Sequence, residues 1–167
     1  MEIKLIDNPV KLAEFLNDAS NTGNIVDVGD KYFIKPDALY LGVYEGIVLA
    51  GVFEVRRFWH NTIECHNITS PDFRGKYSLE AHRLFCRHAC EFYDFDAAVT
   101  FVPEKTKYGR VIISHLGARR VGTITRACTM NGEKVDAVMY EMTREQFIAA
   151  SLPDSMIVIG EHSVRTK

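Results

Sequence analysis

Four cysteines (Cys65, Cys86, Cys90 and Cys128) among 167 residues are too few for a disulfide scaffold, which excludes a small cross-linked secreted fold. Long apolar runs are missing as well. The candidate I-V-L-A-G-V-F at 47–53 is stopped by Glu54, Arg56 and Arg57, well short of the roughly 18 residues a membrane-spanning helix needs. Neither sign of charge dominates, since 20 Lys and Arg stand against 22 Asp and Glu. Without a basic stripe, Phe58 and Trp59 beside Arg56 and Arg57 read as packing aromatics, and no nucleic-acid or membrane partner is expected. The opening M-E-I-K-L-I-D-N-P lacks the apolar core of a signal peptide, so a reducing, cytoplasmic location is expected.

What is present reads as one α+β domain. Asn8, Pro9 and the apolar spacing of Val10, Leu12, Ala13, Phe15 and Leu16 predict a helix over 9–18, with a capping side chain and proline at its first position. Turn formers follow, then an ambiguous loop with a short strand at 26–34. Three β-rich runs at 39–44, 47–59 and 62–69, separated by short turns, predict an antiparallel meander. Ala81, Leu84, Phe85, Ala89 and Phe92 mark a helix over 79–93 capped by Ser78.

A strand at 97–102, a helix at 105–115 and strands at 119–130 and 134–142 around Asn131-Gly132, a favoured hairpin turn, come next. A short helix at 144–150 and an apolar run at 156–160 close the chain, dividing it into a domain of 1–143 and an extension of 144–167 packed on or beside it.

Three stretches carry a family resemblance: P-D-F-R-G-K at 71–76, L-G-A-R-R-V-G at 116–122 and D-A-V-M-Y-E-M at 136–142. In this order and spacing they resemble the GCN5-related N-acetyltransferase (GNAT) family. The resemblance implies a mixed, mostly antiparallel central sheet flanked by helices, with acetyl-CoA as acyl donor and a small amine or protein amine as acceptor. It places the coenzyme pyrophosphate on the turn that feeds the helix, where unpaired backbone N–H groups and the helix dipole attract anions. The positions implied for the coenzyme are Ile68, Arg74, Gly75, Lys76, Tyr77, Ser78 and Leu79. Tyr77 and Leu79 depart from the family's small residues, and bulky side chains there are expected to crowd the phosphates.

For the chemistry, the resemblance points to a base on the strand before that turn. Glu64 and His66 share one face of this strand, with Cys65 and Asn67 on the other. Glu64 and His66 are the candidate catalytic pair, and Ile68 or Asn67 lends an amide to the oxyanion. The alternative is that Glu64 is the polar face of a half-solvated strand. The family's tyrosine acid, just before its L-G-F stretch, falls on Ile113 and is absent; Tyr108 lies five residues away on another face of the helix. His82, Cys86 and Cys90 recur at i, i+4 and i+8, a spacing too long for one metal ion, so no metal is expected.

Two functional readings remain. One is an acetyltransferase. The other comes from the opening nine residues and F-R-G-K-Y-S-L-E-A-H-R, which resemble acetyltransferase-like proteins of tailed bacteriophages, among them head-assembly proteins of short-tailed phages. This second resemblance implies a catalytically degenerate protein that contacts phage structural proteins during head assembly or virion maturation in the host cytoplasm, with 144–167 as the contact.

Overall fold

The computed structural model describes residues 1–23 and 30–152. Seven strands and five helices alternate as β1 (Glu2–Leu5), α1 (Pro9–Asn17), α2 (Ala19–Thr22), β2 (Leu39–Glu45), β3 (Val48–Trp59), β4 (Thr62–Thr69), α3 (Lys76–Phe92), β5 (Ala97–Pro103), α4 (Lys107–His115), β6 (Arg119–Met130), β7 (Glu133–Thr143) and α5 (Arg144–Ala150). They form one sheet of order β1-β2-β3-β4-β5-β7-β6. Every neighbouring pair is antiparallel except β4 and β5.

The α1 helix begins where the sequence places it. The Asn8 carboxamide oxygen accepts from the N–H groups of Val10 and Lys11 at 3.0 and 3.1 Å, satisfying two donors that the first turn leaves unpaired. Its buried face, Leu12 and Leu16, packs on Tyr40, Val52 and Ile68. An Asn8→Ala variant is expected to lose about 1 kcal/mol, a fall of roughly 2–4 °C in a melting scan; an unchanged midpoint would show that the cap contributes nothing.

Opposite, α3 and α5 cover the other sheet face. Phe85, Cys86 and Ala89 of α3 and Phe147 of α5 close over Phe53, Val55, Ile63, Cys65, Ala98 and Met142. Arg144 ties the start of α5 to this layer by donating to the carbonyls of Cys90 and Tyr93 at 2.6 and 2.9 Å.

Four local outcomes differ from the sequence reading. Residues 2–5 form an edge strand on β2, although the alternation E-I-K-L spans only four residues. The turn-former cluster contains α2, because Asp18 accepts from the Ser20 N–H at 2.8 Å and caps a single turn. The described part of 26–34 holds no strand, and 26–29 lie outside the described residues, as does the apolar run at 156–160. Helix α3 starts three residues early: Gly75, at φ +80°, is its N-cap, while Ser78 sits 1% exposed inside the first turn. The 131–132 turn has positive φ at both residues, as a tight hairpin requires.

The feature that makes room for a site is the β4–β5 pair. The two strands are in register only at Thr62↔Ala97, Ile63↔Ala98 and Glu64↔Val99. Beyond that point β4 follows β3 as far as Gly51↔Thr69, and β5 follows β7 as far as Pro103↔Ala137. The strands splay, and the gap is not zipped by a ladder.

Candidate functional site

The splay opens into a cleft of about 330 Å³, within the size range of small-molecule sites. Its walls come from β4 (His66 to Thr69), β5 (Thr100 to Pro103), the start of α3 (Ser78, His82) and α4 (Tyr108, Ile112). Arg74, Tyr32 and Lys35 stand at its rim.

On β4 the ladder decides which backbone groups reach the gap. Ser70 donates to the Ala50 carbonyl, and Val52↔Ile68 continues the same register. Alternation therefore directs the Ile68 N–H to β3 and the Asn67 N–H into the splay. Of the two expected amide donors, Asn67 is the one presented to the cleft; Ile68 contributes its side chain to the wall.

His66 lines the cleft, and Glu64 stands behind it. The Glu64 carboxylate is 4% exposed and accepts from His66 Nε2 at 2.6 Å on one oxygen and from Arg56 Nη2 at 2.6 Å on the other. Burial alone would raise its pKa, but the His66 and Arg56 hydrogen bonds and charges outweigh it and bring it down to about 2. With Nε2–H committed to Glu64, a neutral His66 ring has its lone pair on Nδ1.

The first turn of α3 carries the anion-binding features. Gly75 provides no capping side chain, so the N–H groups of Lys76, Tyr77 and Ser78 have no intrahelical acceptor. The Gly75 N–H donates to the Tyr108 hydroxyl, which holds Tyr108 in the cleft wall from its own face of α4, apart from Ile113. Arg74 donates to the Ser20 carbonyl at 3.2 Å, holding its guanidinium at the rim. Lys76 lies over the Tyr77 ring at 5.3 Å.

Tyr77 and Leu79 do not crowd this space. The Tyr77 ring stacks edge-on against Phe73 at 5.9 Å, and Leu79 packs into the α3–α5 core. Neither side chain lines the cleft. Helical geometry explains this: once the helix starts at residue 76, both side chains leave its flanks, and only their backbone faces the open end.

Two features near the cleft escape sequence reasoning, the network around Glu54 and the bonding of His82. Glu54 is 1% exposed and accepts from the Tyr32 and Tyr40 hydroxyls at 2.9 and 3.1 Å and from the Lys35 ammonium. Burial first, then the Glu54 charge, raises both phenols, Tyr40 to about 12. The network fastens the segment after residue 30 over the sheet beside His66, which faces Glu54 across the strands. His82, in the cleft wall, is buried and donates Nδ1–H to the Ser78 carbonyl at 2.7 Å. Burial lowers its pKa to about 4, which keeps it neutral with its lone pair on Nε2. Among the described residues no three His, Cys, Asp or Glu side chains converge as metal ligands. No described helix is long and apolar enough to cross a membrane.

A mostly antiparallel sheet opened at one parallel pair, with a helix N-terminus at the opening, is the GNAT acetyltransferase fold. Spermidine N-acetyltransferase from Vibrio cholerae, solved in complex with CoA and spermine, matches with a TM-score of 0.71 over 87% of this chain and 96% of its own, at 11% identity. The chain itself belongs to the family described as protein of unknown function (DUF2824), whose model matches residues 3–151. Its relatives are phage proteins. Protein p31 of Acyrthosiphon pisum secondary endosymbiont phage 1 is 34% identical over 148 residues, covering 89% of this chain and 96% of that protein. Protein gp14 of Salmonella phage P22 is 28% identical over 118 residues, covering 71% and 76%.

Proposed function

We propose that the chain is an N-acyltransferase that moves an acyl group from acyl-CoA to an amine, acetyl being the simplest donor. The observation that carries this reading is the cleft itself: a splay of β4 from β5 with Asn67, His66 and Ser78 of the uncapped first turn of α3 in its walls, and Glu64 bonded to His66 from behind. These residues fit the substrate. The pyrophosphate would lie on the N–H groups of 76–78, joined by that of Gly75 when Tyr108 gives way, with Arg74 and Lys76 nearby, and Ile68 and Ser78 would flank the pantetheine arm.

In the reaction the amine nitrogen attacks the thioester carbonyl, a C–N bond forms and the C–S bond breaks. The nitrogen gives its proton to His66 Nδ1, the Asn67 N–H holds the carbonyl oxygen as it becomes negative, and the departing thiolate takes a proton from solvent, to which His66 returns the one it accepted. Glu64, with both oxygens engaged, positions the His66 ring. This shifts the base from Glu64, the first choice from sequence, to its neighbour on the same face.

Binding is tested by thermal shift. Acetyl-CoA at 100 times its dissociation constant stabilises the native state by about 2.7 kcal/mol, and Arg74→Ala is expected to weaken the shift. No shift at millimolar acetyl-CoA would overturn the acyltransferase reading.

A second reading is favoured by the phage relatives and by the open outer edge of β6, whose residues from Arg119 to Ala127 are largely exposed. Here the fold serves head assembly or virion maturation through contacts with phage structural proteins. It predicts co-purification with a larger complex and no coenzyme shift. The contact expected at 144–167 lies largely outside the described residues.

A further inference from the structure

Behind the cleft lies a second space of about 50 Å³. His66, Asn67, His82, Thr100 and Ile113 line both, so the two spaces share a wall that includes Asn67. Its walls are apolar and stiff: Phe53 and Phe85 stack at 4.2 Å, Phe147 meets Phe85 edge-on at 6.1 Å, and Cys65, Cys86 and Met142 complete them. His82 at the threshold is neutral at physiological pH. Glu141, also in the wall, is paired with Arg119 at 3.1 Å.

We propose that this hollow is an acyl-chain pocket, so that the donor is a straight-chain, uncharged acyl-CoA of about four to six carbons rather than acetyl-CoA. The inference rests on the acyl-CoA reading of the cleft. An oxygen held by the Asn67 N–H sets the carbonyl between the two spaces, with the sulfur on the cleft side and the chain on the side of Phe53 and Phe85. The volume sets the length, since one water-sized atom needs roughly 10–15 Å³ by this measure, giving three to five atoms beyond the carbonyl. The walls set the chemistry. No Lys or Arg lines them to meet a terminal carboxylate, so dicarboxylic donors such as succinyl-CoA are disfavoured.

Titration calorimetry of the full chain with CoA, acetyl-, butanoyl-, hexanoyl-, dodecanoyl- and succinyl-CoA tests this. Affinity is expected to rise about fourfold per added methylene up to butanoyl or hexanoyl, then to fall for dodecanoyl, with succinyl-CoA no tighter than CoA. Ala118→Leu at the rim of the hollow and Cys86→Leu within it should each flatten the series while leaving CoA affinity unchanged; Ala118 is only partly buried, which protects folding in that variant. Equal affinities from acetyl to hexanoyl with CoA still bound would reduce the hollow to a packing void and overturn the proposal alone. A gradient that persists in both variants would overturn it too. No binding of CoA or any thioester would overturn the cleft reading and the pocket with it.

Discussion

A His66→Ala variant is expected to transfer acyl groups roughly 10²- to 10⁴-fold more slowly than the parent, with coenzyme affinity unchanged. The ring sits in the cleft wall with Nε2 held by Glu64 at 2.6 Å, which leaves Nδ1 as the nitrogen able to take a proton. Because that proton moves only in the reaction, the loss should fall on kcat and kcat/KM together and spare binding. Stopped-flow or coupled detection of free thiol, run beside a coenzyme titration, separates the two. A rate within a few-fold of the parent would remove His66 from proton transfer.

Glu64→Gln is expected to cost about 3 kcal/mol at neutral pH, lowering the melting midpoint by roughly 5–10 °C. The carboxylate is buried between Arg56 and His66, so removing its charge leaves the Arg56 guanidinium without its counter-ion. The pH dependence fixes the assignment. Native Glu64 has its pKa lowered from 4.5 to about 2. The stabilisation is therefore complete above about pH 4.5 and is lost as pH falls toward 2, where the native carboxylate also protonates. A shift of this size corresponds to about 3 kcal/mol. Denaturant unfolding of the parent should thus show stability declining across that interval, with the decline much reduced in Glu64→Gln. Parallel profiles would contradict the pairing.

Much of the scaffold is legible in one dimension because its signals are local. The Asn8-Pro9 cap, the 3.6-residue spacing in α3 and the Asn131-Gly132 turn each act within a few residues. Strand β1 alternates as E-I-K-L, but four residues are too few to read as a strand and its partner lies nearly 40 residues on. Helix α3 was legible as a helix, but its start was not: Ser78 resembles a cap, whereas Gly75 ends the preceding chain at a φ that only glycine adopts easily.

In the site, Glu64 and His66 on one face follow from strand alternation. The engagement of both Glu64 oxygens does not, because Arg56 reaches it only through the β3–β4 register. Tyr108 and Gly75 are 33 residues apart in sequence, and the splay arises because beyond Glu64↔Val99 β4 keeps to β3 while β5 keeps to β7. Neither is a property of any short segment. The same long-range geometry turns Tyr77 and Leu79 aside and leaves the helix end open despite their size.

The central claim, that the β4–β5 splay holds the coenzyme, is tested most directly by a backbone-amide NMR titration with coenzyme A. Saturable shifts should concentrate at Asn67 and at Gly75, Lys76, Tyr77 and Ser78, with Tyr108 responding as its hydroxyl leaves the Gly75 N–H. Absence of saturable shifts, or shifts confined to surfaces away from β4 and the start of α3, would contradict it.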